Sequence, residues 1–383
     1  MLKKLLILIL VGLIGASAYL YWGFSQKRTL ITPYPYSFLN TFDENYAKDH
    51  AESIRRAENS KILIVGDRMG KSLDPYTEEL SLSFKDALKT PPTIYNWSED
   101  NEGLFRTIHK LKMLKKIPPV IIYFGASSEL FEKKFDVLDK KKIEKNFNVY
   151  DDEKLISLII TFPWISNILY QDIKYFDLAG FTPYNNFLAA PMKIKEKELY
   201  FKIFEYETKE LIEFAKEKKS NLIFITTPIN LEVEPKEVCA HSSTADVIEL
   251  QQEIAAEVKE GAYKSSLPKS MELAEVTPAN ARTFYLLGLS AMGSGDKQLA
   301  RESLSKAAVF DCSNWRGGAV YNSIIKSQAQ ASQVQLVDFD QYMTSKLSDE
   351  GLFFDEIMPQ NIFYQSMIKE LGDIIKKTLS INE

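Results

Sequence analysis

Five short β-like runs, at 62–65, 93–95, 120–124, 222–226 and 334–337, are separated along this chain by long stretches of helical or loop character. Strands that are apolar throughout and alternate with helices have to be buried on both faces, which a parallel sheet covered by helices on each side provides. The pattern predicts an α/β fold with a doubly wound parallel sheet of about five strands. With 383 residues, 45% of them hydrophobic, the chain is long enough for one large domain with insertions or for two domains sharing an interface. Its 47 basic and 52 acidic side chains leave a net charge of −5. Such a balance offers no basic face to displace the counterions of a nucleic acid, so nucleic acid is excluded as a partner.

The amino terminus is the clearest local signal. Lys3 and Lys4 precede an uncharged apolar run over 5–24, about the 20 residues that a helix needs to cross the hydrocarbon core. Tyr19, Tyr21 and Trp22 fit an interfacial aromatic belt. The competing reading is a cleaved signal peptide, with Ala16-Ser17-Ala18 as a small-x-small site. The apolar run continues past that site, which favours the uncleaved anchor over 1–24. Lys27 and Arg28 balance Lys3 and Lys4, so charge alone does not orient the span. Either reading exports the body, and the expected location is the inner membrane facing the periplasm.

Residues 25–60 read as a stalk followed by a packing helix, and 61–383 as the main domain with two insertions. The first insertion, about 130–191, starts with a charged stretch over 133–145, read as a solvated face. It continues as an apolar run over 155–175, broken by Pro163, which suits an amphipathic lid or docking surface better than a second span. The second insertion, about 247–311, reads as helices. Phe284, Leu287-Gly288, Ala300, Leu304 and Ala307 fall where tetratricopeptide repeats place small and apolar residues. The match is one repeat long, so a helical hairpin packed on the main domain is favoured over a peptide-binding groove. Cys239 and Cys312 flank this segment and are the two cysteines of the chain; an oxidising compartment permits a disulfide without proving one. With no CxxC, no HExxH and three dispersed histidines, neither a metal nor a cofactor is expected.

The motifs that bear on chemistry sit at strand ends. The first strand runs into Gly66-Asp67-Arg68-Met69-Gly70; the second leads through Asn96 to Gly103; the third ends in Gly125-Ala126-Ser127-Ser128-Glu129. Near the carboxyl terminus stands Asp355-Glu356-Ile357-Met358-Pro359. In this order the blocks resemble those of the SGNH/GDSL hydrolases, a flavodoxin-like fold. The resemblance implies a serine nucleophile at the position of Arg68, oxyanion-hole donors at Gly103 and Ser127, and a histidine at the position of Met358, paired with Asp355. Arginine supplies no hydroxyl, serine is shorter than the family's asparagine, and a thioether cannot accept a proton. The catalytic set is therefore degenerate, and His109, on the helix after the second strand, is the one other imidazole placed to approach. What remains is a polar pocket with Arg68, Ser127, Ser128 and Glu129 as candidate ligand-binding residues. Two readings of Arg68 stand open: an ion pair with Asp355 or Glu129 that closes the old site, or a fork that binds an anionic group.

The expected function is a non-catalytic, membrane-anchored envelope protein that binds or scaffolds, with a protein partner in the envelope and a glycan as a further candidate ligand. The alternative implied by the resemblance is a divergent O-acyl esterase or acyltransferase acting on cell-envelope glycans.

Overall fold

The computed structural model describes residues 2–25, 48–84, 90–129, 134–135, 137–162, 165–171, 190–236, 238, 244–312, 318–347 and 351–380. Along the chain the elements are α1 (Leu2–Ser25), α2 (Ala51–Asn59), β1 (Ile62–Val65), α3 (Arg68–Lys71), α4 (Thr77–Leu82), β2 (Ile94–Asn96), α5 (Leu104–Met113), β3 (Val120–Phe124), α6 (Lys140–Asp151), α7 (Glu153–Thr161) and α8 (Ser166–Leu169). There follow α9 (Ala190–Glu217), β4 (Asn221–Ile225), α10 (Ala245–Lys259), α11 (Tyr263–Val276), α12 (Ala281–Gly293), α13 (Lys297–Phe310), α14 (Ala319–Ser332), β5 (Gln335–Val337), α15 (Phe339–Ser345) and α16 (Asn361–Ser380). Two compact units result, one of Met1–Asp43 with Lys134–Phe181, the other of Glu44–Lys133 with Thr182–Glu383.

In the first unit α7 packs against both α1 and α6. Asp152 separates α6 from α7 by accepting the N–H groups of Lys154 and Leu155 at 2.9 and 3.1 Å, an N-cap that fixes where the new helix starts. The apolar run over 155–175 is not one segment: α7 stops at Thr161, two residues before Pro163, as the restriction on residues preceding proline dictates. Taken over its described residues, no helix is long and apolar enough to cross a membrane.

The second unit is built on a five-stranded sheet in the order β2-β1-β3-β4-β5, every pairing parallel. Every residue of β1 and β3 is buried, whereas β2 and β5 lie at the edges and are partly exposed. The apolar runs of β1 and β3 are continuous because helices cover both faces. On one face Ile62, Ile64, Ile122, Phe124, Ile223 and Val337 pack with Phe363, Met367, Leu371 and Ile375 of α16. On the other, α5, α9 and α14 close over the sheet, with Tyr123 edge-on to Phe224 and Tyr321 edge-on to Phe204. The expected strands at 93–95 and 222–226 are each displaced by one residue and that at 334–337 starts one residue later, since ladder pairing rather than apolarity sets the ends.

The helices α10 to α13 form two consecutive hairpins, so the repeat-like hairpin seen in the sequence is the second half of a four-helix array. In α12, a Cβ at Gly288 would lie 2.5 Å from Leu304 Cγ, so glycine lets α13 approach this closely. Leu304, Ala300 and Ala307 are buried, as their spacing predicted. A polar seam joins α10 to α12, where Gln251 Nε2 donates to Asn280 Oδ1 at 3.1 Å and to Thr283 Oγ1 at 3.0 Å. Cys312 is disulfide-bonded; Cys239, its expected partner, lies outside the described residues.

Candidate functional site

The order β2-β1-β3-β4-β5 puts a switch point between β1 and β3, and crevices in such sheets open beyond the carboxyl ends of the strands there. Gly66 makes this end possible. At φ +141° it lies outside what side chains adopt, and a Cβ there would be 2.1 Å from the Phe124 carbonyl oxygen. The chain leaving β1 thus presses on the end of β3, and Asp67 enters a fully buried position.

Asp67 is a clamp between the two strand ends. Its Oδ1 accepts the N–H of Met69 at 2.9 Å, capping α3, and its Oδ2 accepts the Ser127 N–H and O–H, both at 2.7 Å, and the Ser128 N–H at 2.8 Å. Burial nevertheless raises its pKa from 3.8 to about 6; the Ser127 and Met69 hydrogen bonds oppose that rise, and Glu129 adds to it. The Ser127 hydroxyl shares Oδ2 with two backbone N–H groups, so one carboxylate oxygen gathers three donors. The Ser127 and Ser128 N–H groups are likewise committed to Asp67 rather than to any ligand.

The second strand end is closed the same way. Gly103 caps α5, and the next N–H, of Leu104, donates at 2.6 Å to Glu129 Oε1. A buried carboxylate therefore lies at the start of α5, beside the glycine whose N–H the resemblance assigned to an oxyanion hole. Helix starts attract negative charge, and here the chain supplies its own. The sequence reading missed the neighbouring pair of Glu102 and Lys110, both buried, with Lys110 Nζ 2.7 Å from Glu102 Oε2 and 2.7 Å from the Trp97 carbonyl oxygen. Burial raises the Glu102 pKa to about 7 although Lys110 pulls it down. The signal available in the sequence was a lysine set between Ile108 and Leu111, two residues that α5 buries.

Of the other expected residues, Asp355 and Met358 are brought to one pocket with Ser72 at the end of α3, and His109 is not among the residues lining it. Asp355 Oδ1 accepts the N–H groups of Ile357 and Met358, each at 2.7 Å, which shapes its own loop. Met358 packs against the core beside α16 and serves as a hydrophobic contact. His109 offers no replacement imidazole: its Nδ1 lies 3.0 Å from the Phe105 carbonyl oxygen, and its ring rests on Phe105 at 4.2 Å. Burial lowers its pKa, and the charges nearest it are Lys112 and Glu210, the latter on α9. Met358 and Asp355 share a pocket of about 670 Å³ with Ser72, Phe354, Gln360 and Tyr364. The ion pair expected of Arg68 is not formed: Glu129 holds Leu104, Asp355 holds its own loop, and the half-buried Arg68 side chain has no hydrogen bond or ion pair among the described residues. These residues contain no cluster of ligands suited to a metal ion.

Fold and site define a doubly wound α/β protein whose strand ends carry blocks resembling those of the SGNH/GDSL hydrolases, with Arg68 and Met358 at the positions of that family's serine and histidine. No family model and no curated sequence matches the chain. Among solved structures it is similar to a protein provisionally named an acylhydrolase from Bacteroides fragilis, at 12% identity and TM-score 0.36, covering 88% of this chain and 99% of that one. It is also similar to a GDSL-like lipase from Bacteroides thetaiotaomicron, at 11% identity and TM-score 0.35, covering 86% of this chain and 97% of that one. Likenesses at this level carry no argument about activity.

Proposed function

We propose that the chain is a non-catalytic, membrane-anchored SGNH-like protein of the cell envelope that acts as a binding or scaffold module, facing the periplasm from the inner membrane. The observation that carries this reading is the state of the strand ends. Arg68 stands where a nucleophile is needed, Met358 where a base is needed, and the N–H groups of Leu104, Ser127 and Ser128 are taken by Glu129 and Asp67. The absence of one oxyanion donor alone costs on the order of 10²–10³ in rate. The anchor rests on the uncharged run over 5–24, whose Ile7, Leu8, Leu10 and Val11 are exposed on α1 and suit a lipid environment. The helical array of α10 to α13 supplies surface for a protein partner within an envelope complex.

Turnover of acetyl-ester substrates by the full chain in detergent, beside the Arg68→Ser/Met358→His double variant, tests this. The expected result is no hydrolysis by the native chain above the buffer rate. Hydrolysis by the native chain overturns the reading and transfers attention to residues outside these blocks. A gain of activity in the double variant alone supports both the block assignment and the loss of chemistry.

A further inference from the structure

Resting on the binding-module reading, we propose that the pocket beside the Asp355 loop binds a carboxylated sugar, with the Arg68 guanidinium taking the carboxylate. Arginine presents a planar fork that matches a carboxylate with two parallel hydrogen bonds. A half-buried fork at the carboxyl ends of a parallel sheet, without a partner among the described residues, is a charge held for something outside the chain. The nearby acids do not fill that role. Asp67 is committed to Met69, Ser127 and Ser128, Glu129 to the start of α5, Asp355 to Ile357 and Met358, and Glu356 to Lys236 at 3.0 Å.

Arg68 lies one helical turn before Ser72, whose N–H donates to the Arg68 carbonyl oxygen at 3.0 Å, so the two side chains share a face. Ser72 forms part of the pocket wall. The pocket, about 670 Å³, lies within the range of small-ligand sites. Its wall offers what a pyranose requires. Gln360 and the Tyr364 hydroxyl, the latter 2.9 Å from Ser72 Oγ, can exchange hydrogen bonds with sugar hydroxyls. Phe354, 84% exposed, presents an aromatic plate to the C–H face of a sugar ring.

Isothermal titration of the full chain in detergent micelles with trigalacturonate, its methyl ester and sodium acetate separates the possibilities. Trigalacturonate binds saturably, and its methyl ester binds at least about tenfold more weakly, the loss expected for one charge-assisted contact. Arg68→Gln weakens the acid by a similar factor, Arg68→Lys by less, and Phe354→Ala weakens trigalacturonate without changing acetate. Each variant is first shown to retain the native melting temperature, as expected for side chains with so few contacts. Equal affinity for acid and ester, an unchanged Arg68→Gln, acetate binding as tightly as trigalacturonate, or no binding at all overturns the proposal. Ester turnover in the same preparation overturns the binding-module reading instead, whatever the titration gives.

Discussion

Replacing Asp67 by alanine removes the acceptor for four donors: the Met69 N–H, the Ser127 N–H and O–H, and the Ser128 N–H. The Ser127 hydroxyl can rotate, and the Met69 N–H lies in the first turn of α3. The Ser127 and Ser128 N–H groups cannot move, and both residues are buried, 5% and 1% exposed. An orphaned buried donor costs about 1–3 kcal/mol, so the two together cost about 2–6 kcal/mol. Charge works in the other direction. Because burial raises the Asp67 pKa from 3.8 to about 6, the folded state holds a proton that the unfolded chain has lost, and native stability falls as pH rises through that window. Between pH 4.5 and 7 the fall amounts to about 2 kcal/mol at about 1.4 kcal/mol per pH unit. Alanine does not titrate, so the variant escapes this loss. Urea denaturation followed by circular dichroism at 222 nm should therefore show Asp67→Ala less stable by about 2–6 kcal/mol at pH 4.5, with the gap narrowed by about 2 kcal/mol at pH 7. A cost below about 1 kcal/mol at pH 4.5, or a gap that does not narrow, refutes the clamp and leaves Asp67 available for chemistry.

Two further outcomes follow from the same geometry. Glu102 and Asp340 are also buried acids, raised by burial from 4.5 to about 7 and from 3.8 to about 6 although Lys110 and Lys326 oppose those shifts, so both lose native stability as pH rises. The urea midpoint of the native chain should fall between about pH 4.5 and 7, with a shallower slope in Glu102→Gln; a midpoint that rises over this range contradicts the assignment. Gly66→Ala should fail to give folded protein or lose at least about 3 kcal/mol, because strain at positive φ is joined by overlap with the Phe124 carbonyl. A Gly66→Ala protein melting within a few degrees of the native one would show that the β1 and β3 ends are not pressed together.

Much of the sheet was legible in the sequence. Buried parallel strands have to be apolar on both faces, and 62–65 and 120–124 coincide with β1 and β3, where every residue is buried. The edge strands each start one residue later than expected, since Thr93 and Val334 suit a strand as well as their paired neighbours do and only the ladder distinguishes them. The small residues of α12 and α13 were readable because close helix approach leaves a periodic trace. The preceding hairpin, α10 and α11, was less legible: it meets α12 through the larger side chains of Ile254, Leu273 and Leu286 and through the polar contacts of Gln251 with Asn280 and Thr283.

The site divides along the same line. Sequence alone determined what Arg68 and Met358 cannot do, because the absence of a hydroxyl or an imidazole is a property of the side chain wherever it is placed. It also marked Gly66 and Asp67 as the turn out of the first strand. Sequence did not determine which charges meet. Arg68, Glu129 and Asp355 form a plausible ion-pair set when read in order, yet Glu129 reaches back 25 residues to Leu104 and Asp355 turns onto its own loop. A carboxylate takes the N–H groups that the folded backbone brings within 3 Å. That choice is made by chain geometry over tens of residues, so only the tertiary structure decides which cation is left without a partner.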